Sequence, residues 1–159
     1  MEQALERIIG RPPIHPVPFT LAKVAIGVSI GILAIEVFRP RKRKRILPLA
    51  VAAPVAAAGI ALVFAGSSRL GASLRVGLPR EETELRTEGL YAWTRNPIYA
   101  GIDLAAAASL AAVPTLLNAA AVATGIAAHH AIVLAEERFL RERFGEAWER
   151  YAARVPRYL

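Results

Sequence analysis

Apolar residues gather into long blocks along this chain, and most of the charge falls in the gaps between them. The first block, residues 19–38, is 20 residues long and carries charge only at Lys23 and Glu36. At roughly 1.5 Å per residue, a helix of this length matches a hydrocarbon layer of roughly 30 Å. Lys23 and Glu36 lie near its ends, where long side chains reach the interface. Within it, Gly27 and Gly31 form a GxxxG face suited to close helix packing. The second block, residues 46–68, is uncharged until Arg69; Pro54 and Gly59 inside it are tolerated in membrane helices. The third, from Pro97 to Ala135, is too long for one crossing, because its 39 residues would extend roughly 58 Å as helix. Pro114 and Asn118 mark a break near its middle. The pattern therefore predicts a tight hairpin of two helices over 97–113 and 115–143.

The second arm of that hairpin continues as a charged amphipathic rod. Phe139, Leu140 and Phe144 line its buried face, with Arg141, Glu142 and Arg143 outside. Gly145 ends it, and a short helix over 146–154 carries Trp148 and Tyr151 on one face before Pro156 stops it. Residues 1–16 read as a surface segment, and residues 73–76 as a short extended piece. Residues 67–96 are expected to hold little regular structure and to cover a cofactor. The expectation is an all-α polytopic membrane protein with about four transmembrane helices, a C-terminal helical hairpin and a short C-terminal amphipathic helix. At 159 residues it reads as one domain, with two spans in 1–68 and the polar, chemistry-bearing part in 69–159.

Composition agrees with this picture. Hydrophobic residues make up 55% of the chain, and a mean hydropathy of +0.38 is high for a soluble protein. There is no Cys, which excludes disulfides and thiolate chemistry. The polar N-terminus shows no cleavable signal pattern. A net charge of +7 would suit nucleic acid, but the basic residues flank apolar spans and point instead to anionic headgroups. Residues 39–45 hold six Lys or Arg residues, against thirteen in the segments a four-span topology puts on the other side. That balance places both termini inside.

Two polar segments bracket the hairpin, and residues 104–135 between them contain no Asp, Glu, Lys or Arg. The first runs through Glu88, Gly89, Tyr91, Trp93, Arg95, Asn96, Pro97, Tyr99 and Gly101. Pro97 fits the first position of a helix and Asn96 its cap. A helix N-terminus offers free N–H groups and a positive dipole to an anion. The second segment opens with Glu136 and Glu137. Adjacent helical residues point roughly 100° apart, so one carboxylate can face the hairpin while the other pairs with an Arg. Asp103 sits two turns into an apolar helix, where a carboxylate is costly unless it meets a cavity or partner. It shares a face with Tyr99, and either orients a polar substrate or pairs with His129 or His130. No third ligand accompanies the two His at metal-site spacing, so no metal is expected.

This arrangement resembles the membrane-embedded methyltransferases that include isoprenylcysteine carboxyl methyltransferase and phosphatidylethanolamine N-methyltransferase. The resemblance rests on Gly89 and Tyr91 with Arg95, Asn96, Pro97 and Tyr99, and on Glu136, Glu137, Leu140, Phe144 and Gly145. It runs from about residue 70 to the end. Phe64, Ala65, Gly66, Leu70 and Gly71 are similar to a glycine-bearing stretch that the phospholipid enzymes use near the cofactor. The resemblance implies S-adenosylmethionine as cofactor. Its pocket would be formed by Tyr91, Arg95, Asn96, Pro97, Tyr99, Gly101, Glu136 and Glu137, on the cytoplasmic side. The acceptor would be a lipid or amphiphile entering from the bilayer. Where it arrives protonated, Asp103 or His130 would serve as base. The carboxyl methyltransferases carry Arg residues just before the Glu pair; residues 129–135 have none, which argues against a prenylcysteine carboxylate as acceptor. The alternatives are a relative of the membrane sterol reductases, which use NADPH, and a non-catalytic helical scaffold. The first would need extra spans or a longer polar insert; the second leaves both polar segments without a reason.

Overall fold

The computed structural model describes residues 15–70 and 84–158. Among these residues there are five α-helices and no strand. They are α1 (Pro16–Phe38), α2 (Leu49–Leu70), α3 (Pro97–Ala112), α4 (Leu116–Phe144) and α5 (Glu146–Ala152), with a 3-10 turn, Gly89–Ala92, ahead of α3. The readings for residues 1–14 and 73–76 lie outside the described residues. α1, α2 and α4 are long and apolar enough to cross a membrane. α3 is apolar but has only 16 residues, roughly 24 Å of helix. Four helices thus stand where about four spans are predicted, and three of them meet the length of a full crossing.

The helices form an up-and-down bundle. Ile46 and Leu47, ahead of α2, both donate their N–H groups to Ala111 O at the C-terminal end of α3. At the other end of the same pair, Gly66 lies against Pro97 and Ile98. The α3–α4 turn is held by Asn118, whose Nδ2 donates to Ser109 Oγ (3.1 Å) and Val113 O (3.0 Å). Ser109 in turn donates to Ser29 O on α1 at 2.6 Å. Thr115 caps α4 by accepting from Asn118 N, one residue past the break at Pro114. Outward, Val17, Leu21, Val24, Val28 and Ile35 of α1 stay exposed, a surface that suits lipid rather than water.

Two expectations are corrected. Gly27 and Gly31 do not make a helix contact: a Cβ at either would meet nothing within 4 Å. The close crossing lies instead between α2 and α3, where a Cβ on Gly59 would sit 2.5 Å from Gly101 O. Small residues let these backbones touch, as in tightly packed membrane helices. Glu36 does not snorkel either. It is 3% exposed and anchors the basic loop, accepting from Arg41 N (2.8 Å) and pairing with Arg45 (2.6 Å) and Arg43 (3.2 Å). Arg45 Nη1 also donates to Ala112 O at 2.9 Å, which ties the loop to the end of α3.

The crossing can be tested directly. Gly101→Ala is expected to overpack the α2–α3 contact and cost about 1–3 kcal/mol. Gly27→Ala, facing open space, is expected to leave stability unchanged or slightly raised. Thermal unfolding of both variants in detergent checks this; equal effects would contradict the packing.

Candidate active site

The polar end of the bundle is built from the start of α3, the last turns of α4, α5 and the tail after it. Gly145 has φ +50°, which glycine adopts without strain, and this corner turns the chain from α4 into α5. The turn packs Trp148, Tyr151 and Val155 into a cluster with Leu85, Leu140 and Phe144. Tyr151 donates its hydroxyl to Tyr91 O at 2.7 Å, and burial pushes that hydroxyl's pKa up to about 12, so it stays a donor. The tail then runs back along the approach to α3. Arg95 N donates to Pro156 O (2.9 Å), and Thr94 Oγ1 and Asn96 Nδ2 both donate to Arg157 O (3.1 Å each).

The two carboxylates of α4 part ways. Glu137 is 7% exposed and is gripped by cations from two segments. Arg157 donates to both of its oxygens, at 3.0 and 2.8 Å, and Arg95 Nη2 lies 3.2 Å from Oε1. The Arg95 guanidinium also lies 5.5 Å from the Trp148 ring centroid. The hydrogen bond from Arg157 to Glu137 raises the arginine's already high pKa. Glu136 faces the other way. Its carboxylate accepts the Tyr99 hydroxyl at 2.9 Å and has no cationic partner among the described residues. The Tyr91 hydroxyl is held above its ordinary value, chiefly by burial, with Tyr151 and Glu136 close enough to add to the rise.

The structure therefore sorts the predicted residues. Tyr91, Tyr99 and Glu136 converge on one side. Arg95 and Glu137 form a brace with Arg157. Pro97 opens α3 as expected, but the Asn96 side chain makes no cap bond; its Nδ2 donates to the tail carbonyl of Arg157. Gly101 lies in the α2–α3 crossing, which by itself accounts for a glycine there. Asp103 meets His129, Nδ1 to Oδ1, at 2.6 Å. His130 is exposed and faces the Tyr158 hydroxyl at 3.0 Å. No group of three or more His, Cys, Asp or Glu able to hold a metal occurs among the described residues. Sequence reasoning expected some Arg opposite the Glu pair but did not identify Arg157, which sits 20 residues away. Its neighbour Pro156, expected to stop the last helix, lies four residues past the observed end at Ala152 and is the local signal for the tail.

A family model for phospholipid methyltransferase matches residues 47–147, more than half of the chain. The chain belongs to the phospholipid methyltransferase family. It is a membrane methyltransferase. Searches of curated proteins and of solved structures find no match. In this methyltransferase the matched region holds α2, α3, α4 and both Glu residues, and it ends before Trp148 and the tail that close over Glu137.

The brace makes a specific expectation. Glu137→Gln leaves two guanidinium groups without their carboxylate, a loss of about 1–3 kcal/mol. The cost should fall on the tail, so amide hydrogen exchange in residues 146–158 is expected to rise while α1 and α2 keep their protection. Unchanged exchange in the tail would contradict the brace.

Proposed function

We propose that this membrane methyltransferase takes its methyl group from S-adenosylmethionine and passes it to a lipid-like acceptor that enters from the bilayer. The observation that carries the reading is the unequal treatment of neighbouring carboxylates. Glu137 has two arginines; Glu136 has a tyrosine hydroxyl and no cation among the described residues. A partly buried carboxylate without a counter-charge fits a ligand that brings one. S-adenosylmethionine carries an ammonium, a sulfonium and ribose hydroxyls, all of which a carboxylate satisfies. Glu136 with Tyr99 and Tyr91 would hold that side of the cofactor. The first-turn N–H groups of α3, at Ile98 and Tyr99, are left uncapped by Asn96 and suit its carboxylate.

Arg95, Asn96, Glu137 and Arg157 act in this reading as the frame, not as cofactor contacts, because each is already engaged within the chain. The bound cofactor supplies an electrophilic methyl group. The protein's work is to orient the acceptor and keep water out. The cytoplasmic side is supported by the Lys and Arg balance, since the site lies at the end of the bundle opposite the basic loop. The acceptor's apolar part would lie along the exposed helix faces.

Glu136→Gln removes a charge-assisted bond worth roughly 1.5–3 kcal/mol. At roughly 1.4 kcal/mol per decade, affinity for S-adenosylmethionine should fall about tenfold to a hundredfold. The melting temperature should stay near wild type. Calorimetric titration of the purified protein checks this, with NADPH as the control ligand. Unchanged S-adenosylmethionine affinity in Glu136→Gln, or binding of NADPH instead, would contradict the reading.

A further inference from the structure

One polar pair lies deeper than the Glu136 end and has no part in the cofactor reading above. Asp103 is six residues past Pro97, so it lies roughly 9 Å along α3 from the helix start. Its carboxylate Oδ1 is 2.6 Å from Nδ1 of His129, a residue 5% exposed. The Asp103 side chain itself is 22% exposed, so the pair is reachable from outside the packed core. The His129 ring lies 5.1 Å from the Tyr99 ring, tilted by 55°, and Tyr99 donates to Glu136. A continuous polar strip thus runs from Asp103 through His129 and Tyr99 to Glu136, inside helices that are otherwise apolar.

The chemistry of this strip is directional. A carboxylate only accepts hydrogen bonds, so the nitrogen facing Asp103 carries the hydrogen. That fixes the imidazole with its lone pair on Nε2. Nε2 has no hydrogen-bond partner among the described residues. An imidazole held by a carboxylate at one nitrogen and open at the other is equipped to accept a proton, because the carboxylate stabilises the imidazolium that forms. Of the two expected bases, Asp103 serves as the partner of His129, and His130 has no carboxylate partner: it faces a tyrosine hydroxyl and is exposed.

We propose, on the basis of the methyl-transfer reading above, that His129 is the proton acceptor of the reaction and Asp103 its positioning residue. An acceptor arriving as an ammonium gives a proton to Nε2 and exposes its lone pair. That pair forms the new N–C bond while the C–S bond breaks, and the electron pair of that bond stays on sulfur. The products are the methylated ammonium, S-adenosylhomocysteine and an imidazolium paired with Asp103. Other titratable groups around His129 are Tyr99 on α3, Glu136 on α4 and Tyr158 of the tail, whose hydroxyl is affected by Asp103. On α1, Lys23 lies over the Phe19 ring and Glu36 is at the far end.

The test uses the full chain in lipid nanodiscs, labelled with 15N-histidine. The His129 signals, identified by their loss in His129→Gln, should show protonated Nδ1 and bare Nε2 at alkaline pH. Asp103→Asn, which can offer an amide N–H to Nδ1, should populate the other tautomer. With tritiated S-adenosylmethionine and phosphatidylethanolamine vesicles as the acceptor probe, His129→Gln should lower kcat by about 10²–10⁴-fold and change its pH profile. S-adenosylmethionine affinity should be unchanged. A protonated Nε2 in the wild type would overturn the proposal, as would wild-type kcat and pH profile in His129→Gln. Loss of S-adenosylmethionine binding by the wild type would instead sink the methyl-transfer reading on which it rests.

Discussion

Two guanidinium groups converge on the Glu137 carboxylate, Arg95 from the approach to α3 and Arg157 from the tail, and the geometry of the polar end follows from that convergence. A carboxylate buried without partners would cost several kcal/mol, so the ion pairs are a condition of burying Glu137 at all. Once they form, three segments distant in sequence are joined. The tail lies along residues 94–96, α5 packs Trp148 and Tyr151 beneath it, and Tyr151 holds the Tyr91 backbone. Tyr91 and Tyr99 are thereby kept near Glu136. Because Glu137 takes both cations, its neighbour is left with a hydroxyl alone. A roughly 100° turn between adjacent residues thus separates a carboxylate held by two arginines from one that meets only a hydroxyl.

The opposite end of the bundle uses the same device. Glu36 is buried at the end of α1 and holds Arg43 and Arg45, and Arg45 reaches Ala112 O at the end of α3. Between the two ionic ends, the helices are apolar and the contact that sets their spacing is steric. Gly59 and Gly101 bring α2 and α3 together closely enough that a methyl group on either would collide. Hydrophobic association does little to pack helices within lipid, so close backbone contact and buried hydrogen bonds such as Ser109 to Ser29 O carry that role. The starting position of α3, and with it Tyr99 and Asp103, is fixed by this crossing.

The helices were legible because apolar blocks and their breakers are local. Pro97, Pro114 and Gly145 mark the observed ends of α3 and α4 to within a few residues. The divergence of Glu136 and Glu137 was legible from helical geometry alone. The partners were not, because they depend on chain segments brought together only in three dimensions. Asn96 looked like a cap, but its side chain makes no cap bond and instead donates through Nδ2 to Arg157 O of the tail. Glu36 looked like an interfacial residue, because a sequence does not reveal that the loop after it folds back. The GxxxG at Gly27 and Gly31, a motif common by chance in an apolar run, makes no contact. The working glycines, 59 and 101, lie on different helices and form no motif.

The central claim is that Glu136 is the ligand-facing carboxylate and Glu137 the brace. An experimental structure of the protein with S-adenosylhomocysteine bound tests it most directly. The account predicts the amino acid end of the ligand within hydrogen-bond distance of Glu136 and Tyr99, with the Arg95–Glu137–Arg157 ion pairs intact. A ligand seated against Glu137 with those ion pairs broken, or one lying away from both carboxylates, would contradict it.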